Sequence, residues 1–482
     1  MGADNQGGRM PRYRLATAVS TVAIVGAFMV PATAQAAGLR WEKCPQNEDV
    51  WCADLQVPVD WATGRGSITL KLARRDATTD RKIGTIIYVP GGPGDSGRGQ
   101  LLGKNWLSEA AAERFDIVSL DPRGTNESDA VKCDAGLIDD MPNLNPDTGG
   151  RLANVIEYSR AVEADCRKQP LDVMDHMSSR DVARDVEAIR AAIGEQRISL
   201  YSRSYGTLAA QMYAEMFPHR TRAVVLDSVF DHSLSGRQLL ESSVRNVEDS
   251  FYAFADWCAR TQSCVLHGKD VGAVFDDLYR KAERGELTEP SNPAKGITAT
   301  ELSWLTMRVW LYRPDWAGLA DRLARLSGLL PPGAPVGFPS SKGFFPMAAF
   351  CADHRITFRS ESEWRWQWAR LKAMAPHLRT HMVWQIASIC AGWPIPATNL
   401  QRRPDVRVPV LVLNSRHDPA TSLEWAVNVS GQIPRSALLT YEGAGHGVYN
   451  RTACTEQVTD RYFVDLVLPA PGASCPSGTT AP

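Results

Sequence analysis

Leu200-Tyr201-Ser202-Arg203-Ser204-Tyr205-Gly206-Thr207 decides how this chain is read. An apolar run, Ile198 to Tyr201, enters it, and an amphipathic segment, Thr207 to Phe217, leaves it. A serine therefore sits on a tight strand-to-helix turn with small residues on either side, close to the general form Gly-x-Ser-x-Gly. Such a turn exposes the Ser204 hydroxyl at the edge of a sheet. The backbone N–H of Tyr205 faces the place where an oxyanion would develop, and the following helix adds the positive end of its dipole. Ser202 replaces the first glycine of the pattern, so the motif needs support from elsewhere in the chain.

Support comes first from upstream. Thr85 to Val89 is a continuous, largely apolar run ending in Pro90-Gly91-Gly92-Pro93-Gly94. Glycines let the backbone come close to a reacting carbonyl, and the Gly92 N–H is the expected second oxyanion donor. Downstream, Val408 to Leu413 runs into Asn414-Ser415-Arg416-His417-Asp418, and Ala437 to Tyr441 precedes Gly443-Ala444-Gly445-His446-Gly447. Serine, acid and histidine in that order, each after a strand, predict a catalytic triad of Ser204, Asp418 and His446. Asp227 and Asp231 are the rival acids, and His417 is the rival base.

The remaining runs, Phe115 to Leu120 before Asp121-Pro122-Arg123-Gly124 and Ala223 to Leu226, read as strands buried on both faces. Ile68 to Leu72 alternates like a half-exposed strand. Val182, Val186, Ile189 and Ile193 recur at helical spacing, with Ser179 as the expected N-cap and Gly194 as the stop. Strands alternating with helices predict an α/β core with a mostly parallel sheet. Residues 233–400 break that alternation. They hold nine of the fourteen tryptophans and a Pro/Gly-rich stretch at Pro331 to Pro339, which predicts a helical insertion packed on indole rings.

Composition bounds the rest. With 482 residues, 44% hydrophobic and 22% charged, the chain is long enough for a large core plus an insertion. A formal net charge of −1 argues against nucleic acid or an anionic membrane surface as partner. Arg9, Arg12 and Arg14 precede an apolar run from Leu15 to Val30, and Ala34-Gln35-Ala36 offers a cleavage site, so 1–36 reads as a signal peptide. Met10 heads a more regular signal than Met1 does. Export without stable membrane association follows. In an oxidising compartment the ten cysteines read as disulfides, simplest as sequential neighbours among many connectivities. No metal-ligand spacing occurs, and no cofactor is expected. The tail from Pro469 is expected to be extended and held at Cys475.

With these residues in place, the chain resembles the secreted tripeptidyl aminopeptidase family of bacterial α/β-hydrolases, relatives of prolyl aminopeptidases. The likeness runs from Leu39-Arg40-Trp41-Glu42-Lys43-Cys44 through Cys52 to Asp60, the Pro90 to Gly94 loop, Asp121 to Gly124, Ser204 to Thr207, Cys351-Ala352-Asp353, Asp418-Pro419 and Gly445-His446 to the closing cysteines. It departs at Ser202, at Pro90 (where prolyl aminopeptidases carry His), and at Asn126-Glu127, where a Gly-containing pair is usual. The resemblance implies an α/β-hydrolase fold in four stretches: signal 1–36, core 37–232, helical cap 233–400, and core plus tail 401–482. It implies hydrolysis of peptide bonds near free N-termini, with an esterase on the same scaffold as the alternative. A buried substrate ammonium needs a paired anion, for which Asp353 is the first candidate and Glu241 the second, with Glu248 and Asp249 behind them.

Overall fold

The computed structural model describes residues 39–168, 172–336, 347–380 and 382–478. The expected signal peptide and the stretch 337–339 of the Pro/Gly-rich segment lie outside the described residues. Twelve strands are β1 (Glu42–Cys44), β2 (Asn47–Val57), β3 (Ile68–Arg75), β4 (Gly84–Val89), β5 (Phe115–Leu120), β6 (Ile198–Arg203), β7 (Thr221–Asp227), β8 (Thr288–Glu289), β9 (Asn292–Gly296), β10 (Val410–His417), β11 (Ser436–Ala444) and β12 (Ser474–Pro476).

Ten of them form one sheet in the order β1-β2-β3-β5-β4-β6-β7-β10-β11-β12. The pairs from β5 to β12 are parallel, whereas β1, β2 and β3 run antiparallel at one side. The protein therefore has an α/β-hydrolase fold: a large, mostly parallel sheet with helices around it. Parallel neighbours need crossovers, and the helices between these strands supply them. Every residue of β5 is buried, as is all of β4 after Gly84, and β6 up to Ser202. β11 differs from the sequence expectation. Its burial alternates, because successive side chains face opposite sides of the sheet and one side is less covered there.

The chain passes from β4 outward to β5 and then returns across β4 to β6, so the direction of winding reverses between β4 and β6. In open α/β sheets the crevice at such a reversal, outside the carboxyl ends of the strands, is where ligands bind. The Pro90 to Gly94 loop and the Ser204 turn face each other there.

Helix Ser179–Ala192 bears out the spacing of Val182, Val186 and Ile189, but its N-cap is Ser178, whose side chain accepts from the Asp181 N–H. Gly194 ends it at φ +77°. Arg123, fully buried, makes a bidentate pair with Asp185 of this helix (2.6 and 2.7 Å) and donates to the carbonyls of Val59 and Pro58, locking the β5 loop against it.

Between β7 and β10 the described chain is helical apart from the β8–β9 hairpin. It divides between two apolar clusters. Phe251, Phe254, Phe275, Trp310, Trp316 and Leu323 make a core of their own. Trp364, Trp368 and Trp384 instead join the main core with Val155 and Val182, Trp384 stacking on Trp364 at 5.3 Å and meeting Trp368 at a tilt at 5.4 Å. Most of the insertion's tryptophans are thus packing residues, while Trp366 is exposed under Arg237 and Arg370. The ten cysteines form five sequential disulfides: Cys44–Cys52, Cys133–Cys166, Cys258–Cys264, Cys351–Cys390 and Cys454–Cys475. The last one, with β12, holds the tail. No helix among the described residues is long and apolar enough to cross a membrane.

Candidate active site

Ser204 follows β6 directly, 8% exposed, in the left-handed region at φ +58°. A non-glycine residue there is strained by order 1 kcal/mol or more and persists where its surroundings hold it. Two neighbours do so. The Ser204 N–H donates to the Asp227 carbonyl at 2.9 Å, and Thr207 Oγ1 donates to the Ser204 carbonyl at 2.6 Å. Ser202, the departure from the pattern, is buried and donates its hydroxyl to the Val225 carbonyl of β7 at 3.1 Å, so it gains a partner that glycine would lack.

The glycines around Ser204 are required by space. A Cβ on Gly91 would sit 2.9 Å from Ser204 Cβ, and one on Gly206 would collide with the carbonyl oxygens of Val89 and Pro90. The Gly-rich loop thus lies against the serine turn, with Gly92 exposed next to it at φ +107°. Asn126 braces that loop by donating to the Gly94 carbonyl at 2.9 Å. Tyr205 heads helix Gly206–Met216.

At the ends of β10 and β11, Asp418 and His446 meet. His446 Nδ1 lies 2.9 Å from both carboxylate oxygens of Asp418, and both side chains are buried. Thr421 completes the cradle: its N–H reaches Asp418 Oδ1 at 3.0 Å and its hydroxyl reaches Oδ2 at 3.0 Å. Burial pushes the Asp418 carboxyl up, but the charge and hydrogen bond of His446, with the N–H groups of Thr421 and Ala420, outweigh it and hold it below the usual carboxylate range. His446 Nε2 is buried without a hydrogen-bond partner among the described residues, and no hydrogen bond joins it to Ser204 Oγ. Tyr312 covers the imidazole, its ring centroid 4.3 Å away, and its carbonyl accepts from the His446 N–H at 2.9 Å.

The rival residues are placed elsewhere. Asp231 Oδ1 accepts from the backbone and hydroxyl of Ser233. His417 pairs with Asp249 at 2.7 Å across to helix Gly236–Arg260. Asp227, read from sequence as a rival acid, has a different place. Its carboxylate accepts from the N–H groups of Val448 (2.7 Å) and Tyr449 (3.0 Å) and from the Tyr201 hydroxyl (2.9 Å), while Ser228 Oγ accepts from the Gly447 N–H at 2.8 Å. The end of β7 therefore holds the serine turn through one carbonyl and the histidine loop through two side chains. Nothing local in the sequence marks this, since the partners lie 219–222 residues apart.

The carboxylates expected to meet a substrate ammonium are engaged within the protein. Asp353 is fully buried, its oxygens accepting from Ser179 N–H (2.9 Å) and hydroxyl (2.5 Å), Tyr205 hydroxyl (2.5 Å) and Asn399 (2.8 Å). Asp353 ties helix Met347–Asp353 to the start of helix Ser179–Ala192 and to the Tyr205 side chain. Glu241 makes a bidentate pair with Arg370 on a neighbouring helix, and Glu248 accepts from the N–H groups of His377 and Leu378. Among the described residues no group of three or more His, Cys, Asp or Glu could hold a metal ion.

The fold, together with the relatives the chain matches, marks the protein as a serine hydrolase of the α/β-hydrolase class. Within that class the chain is similar to the TAP-like proteins, whose family pattern matches residues 375–475. It is 29% identical over 462 residues to the serine protease Hip1 of Mycobacterium tuberculosis, covering 88% of this chain and 87% of that one. It is 27% identical over 494 residues to the tripeptidyl aminopeptidase of Streptomyces lividans, covering 95% and 90%. Among solved structures it aligns with an α/β-hydrolase enzyme from a Medee basin deep-sea metagenome library at 10% identity and a TM-score of 0.39, over 84% of this chain and 97% of the other.

Proposed function

We propose that the protein is an exported serine exopeptidase that cleaves peptides near free N-termini, with Ser204 as nucleophile, His446 as base and Asp418 as the acid that orients it. The observation carrying this reading is the His446–Asp418 pair, 2.9 Å from Nδ1 to each carboxylate oxygen, on loops that end β10 and β11 at the same edge of the sheet as the Ser204 turn. An Nδ1–H held by a buried carboxylate leaves Nε2 as the proton acceptor.

In this mechanism Nε2 takes the Ser204 proton as Oγ attacks the scissile carbonyl. The N–H groups of Tyr205 and Gly92 stabilise the oxyanion, and Nε2 then protonates the leaving amine. Water repeats the cycle on the acyl-enzyme. The missing hydrogen bond between Ser204 and His446 fits a site that tightens when substrate binds. Five disulfides fit an oxidising compartment, reached through the signal at 1–36. The insertion 233–400 acts as the cap that restricts access to chain ends. The names of the two relatives given above, a serine protease and a tripeptidyl aminopeptidase, support the peptide reading.

The test is mass spectrometry of products from a mixed peptide library, each peptide supplied with a free and an acetylated N-terminus. Release of short fragments stepwise from the amino end, lost on acetylation, is the expected result. Equal turnover of acetylated peptides, or faster turnover of short-chain esters than of any peptide, would overturn the exopeptidase reading.

A further inference from the structure

Arg203 lies one residue before Ser204 and is not part of the triad. Its Cδ sits 3.1 Å from where a Cβ on Gly447 would be, so the glycine after His446 makes room for it. The guanidinium rests 4.7 Å from the centroid of the Trp106 ring, in the electrostatic surroundings of Tyr88, Tyr201 and Tyr312. Tyr312 is the ring that covers His446. Arg203 thus lies beside the histidine loop, half-buried.

Guanidinium groups in such places are normally held by carboxylates. The buried arginines Arg123 and Arg322 follow that rule, with Asp185 and Glu289, both bidentate. Arg203 does not. It brings five N–H donors in a rigid fork, and its one hydrogen-bond acceptor among the described residues is Gln100 Oε1, at 3.4 Å. That distance is long for N–H···O, and the same oxygen already accepts from the Tyr88 hydroxyl at 3.0 Å. Asp227 shares this field, but both its oxygens are taken by Tyr201, Val448 and Tyr449. The fork stays without a carboxylate that matches it.

We infer that Arg203, flanked by Trp106 and Gln100 beside the histidine loop, is a carboxylate-binding subsite, and that the enzyme prefers substrates carrying a carboxylate close to the scissile bond. A carboxylate is the planar, bidentate partner that a guanidinium fork matches. The inference rests on Ser204 being the nucleophile, because adjacency to Ser204 is what puts the fork near the reacting bond. The carboxylate could belong to an acidic side chain flanking the cut or to the free C-terminus of a short peptide.

The experiment measures kcat/KM on unmodified peptides with free N-termini in two arms. One arm compares Glu with Gln on either side of the cleaved bond, and the other compares a C-terminal acid with its amide. The expected result is a preference of about 10-fold to 100-fold for the carboxylate in one arm, which identifies its source. Arg203→Gln brings that ratio to about one, and Arg203→Lys keeps the charge but recovers only part of it. Labelling of Ser204 by an uncharged fluorophosphonate is followed on the same preparations. A wild-type ratio near one in both arms overturns the inference without any variant. So does a ratio that survives in Arg203→Gln, or loss of Ser204 labelling in that variant, which would make Arg203 a packing residue of the loop. Failure of wild-type labelling at Ser204 would instead strike the proposed function.

Discussion

Asp227→Asn tests how the end of β7 holds the histidine loop. In the native site one carboxylate oxygen accepts from Val448 N–H at 2.7 Å and the other from Tyr449 N–H at 3.0 Å. An asparagine offers one oxygen and one NH2, so one of the two backbone donors is left facing another donor. The Tyr201 hydroxyl can reverse its role and accept from the NH2. Stranding one buried donor costs about 1–3 kcal/mol, and the melting temperature should fall by a few degrees, at roughly 2–4 °C per kcal/mol or less in a chain of this size. The catalytic effect should be larger. The two N–H groups begin two residues after His446, and a displacement of about 1 Å at a reacting group can cost ~100-fold. Steady-state assays on a peptide substrate should show kcat down by about 10-fold to 100-fold with KM little changed, the pattern of a group whose effect is felt in the transition state. Differential scanning fluorimetry on the same sample gives the stability change. A variant with wild-type kcat and melting temperature, or one that changes only KM, would refute the reasoning.

Two further outcomes follow from the structure. Gly91→Ala places a methyl 2.9 Å from Ser204 Cβ and 3.0 Å from the Arg203 carbonyl, so the Gly-rich loop must retreat from the serine. Turnover should fall by at least 10-fold while circular dichroism stays native. His354 is held down to about 3 by burial and then by the neighbouring His232, against 6.5 for the free side chain. Between those values the unfolded chain binds the extra proton, so stability is lost as pH falls from about 6.5 toward 3. His354→Gln should flatten the denaturation free energy across that window, and an unchanged slope would remove His354 as its source.

The buried strands were legible because β4, β5, β6 and β10 are continuous apolar runs ending in turn residues. β2 was not, since its eleven residues mix acids and polar groups along a half-exposed strand that pairs antiparallel with β3. The order of serine, acid and histidine could be read because each follows a strand, and the fold brings such strand ends to one edge. The internal partners of Asp353 were not legible, for the opposite reason. Its place beside Cys351 says nothing of Ser179, 174 residues earlier, which supplies two of its hydrogen bonds. Asp227, read only as a rival acid, and Arg203, passed over, escaped the sequence in the same way. One is a strand-end acid like many others, and the other is an arbitrary residue in a motif whose meaning depends on the surrounding tyrosines and on a glycine far along the chain.

The central claim, that the turn after β6 carries a nucleophile served by His446, is tested most directly by peptide mapping of the adduct left by a fluorophosphonate. The account requires one covalent adduct on Ser204, formed fast in the wild type and slower by orders of magnitude in His446→Ala. An active protein that carries its adduct on another residue, or labels Ser204 equally well without His446, would contradict it.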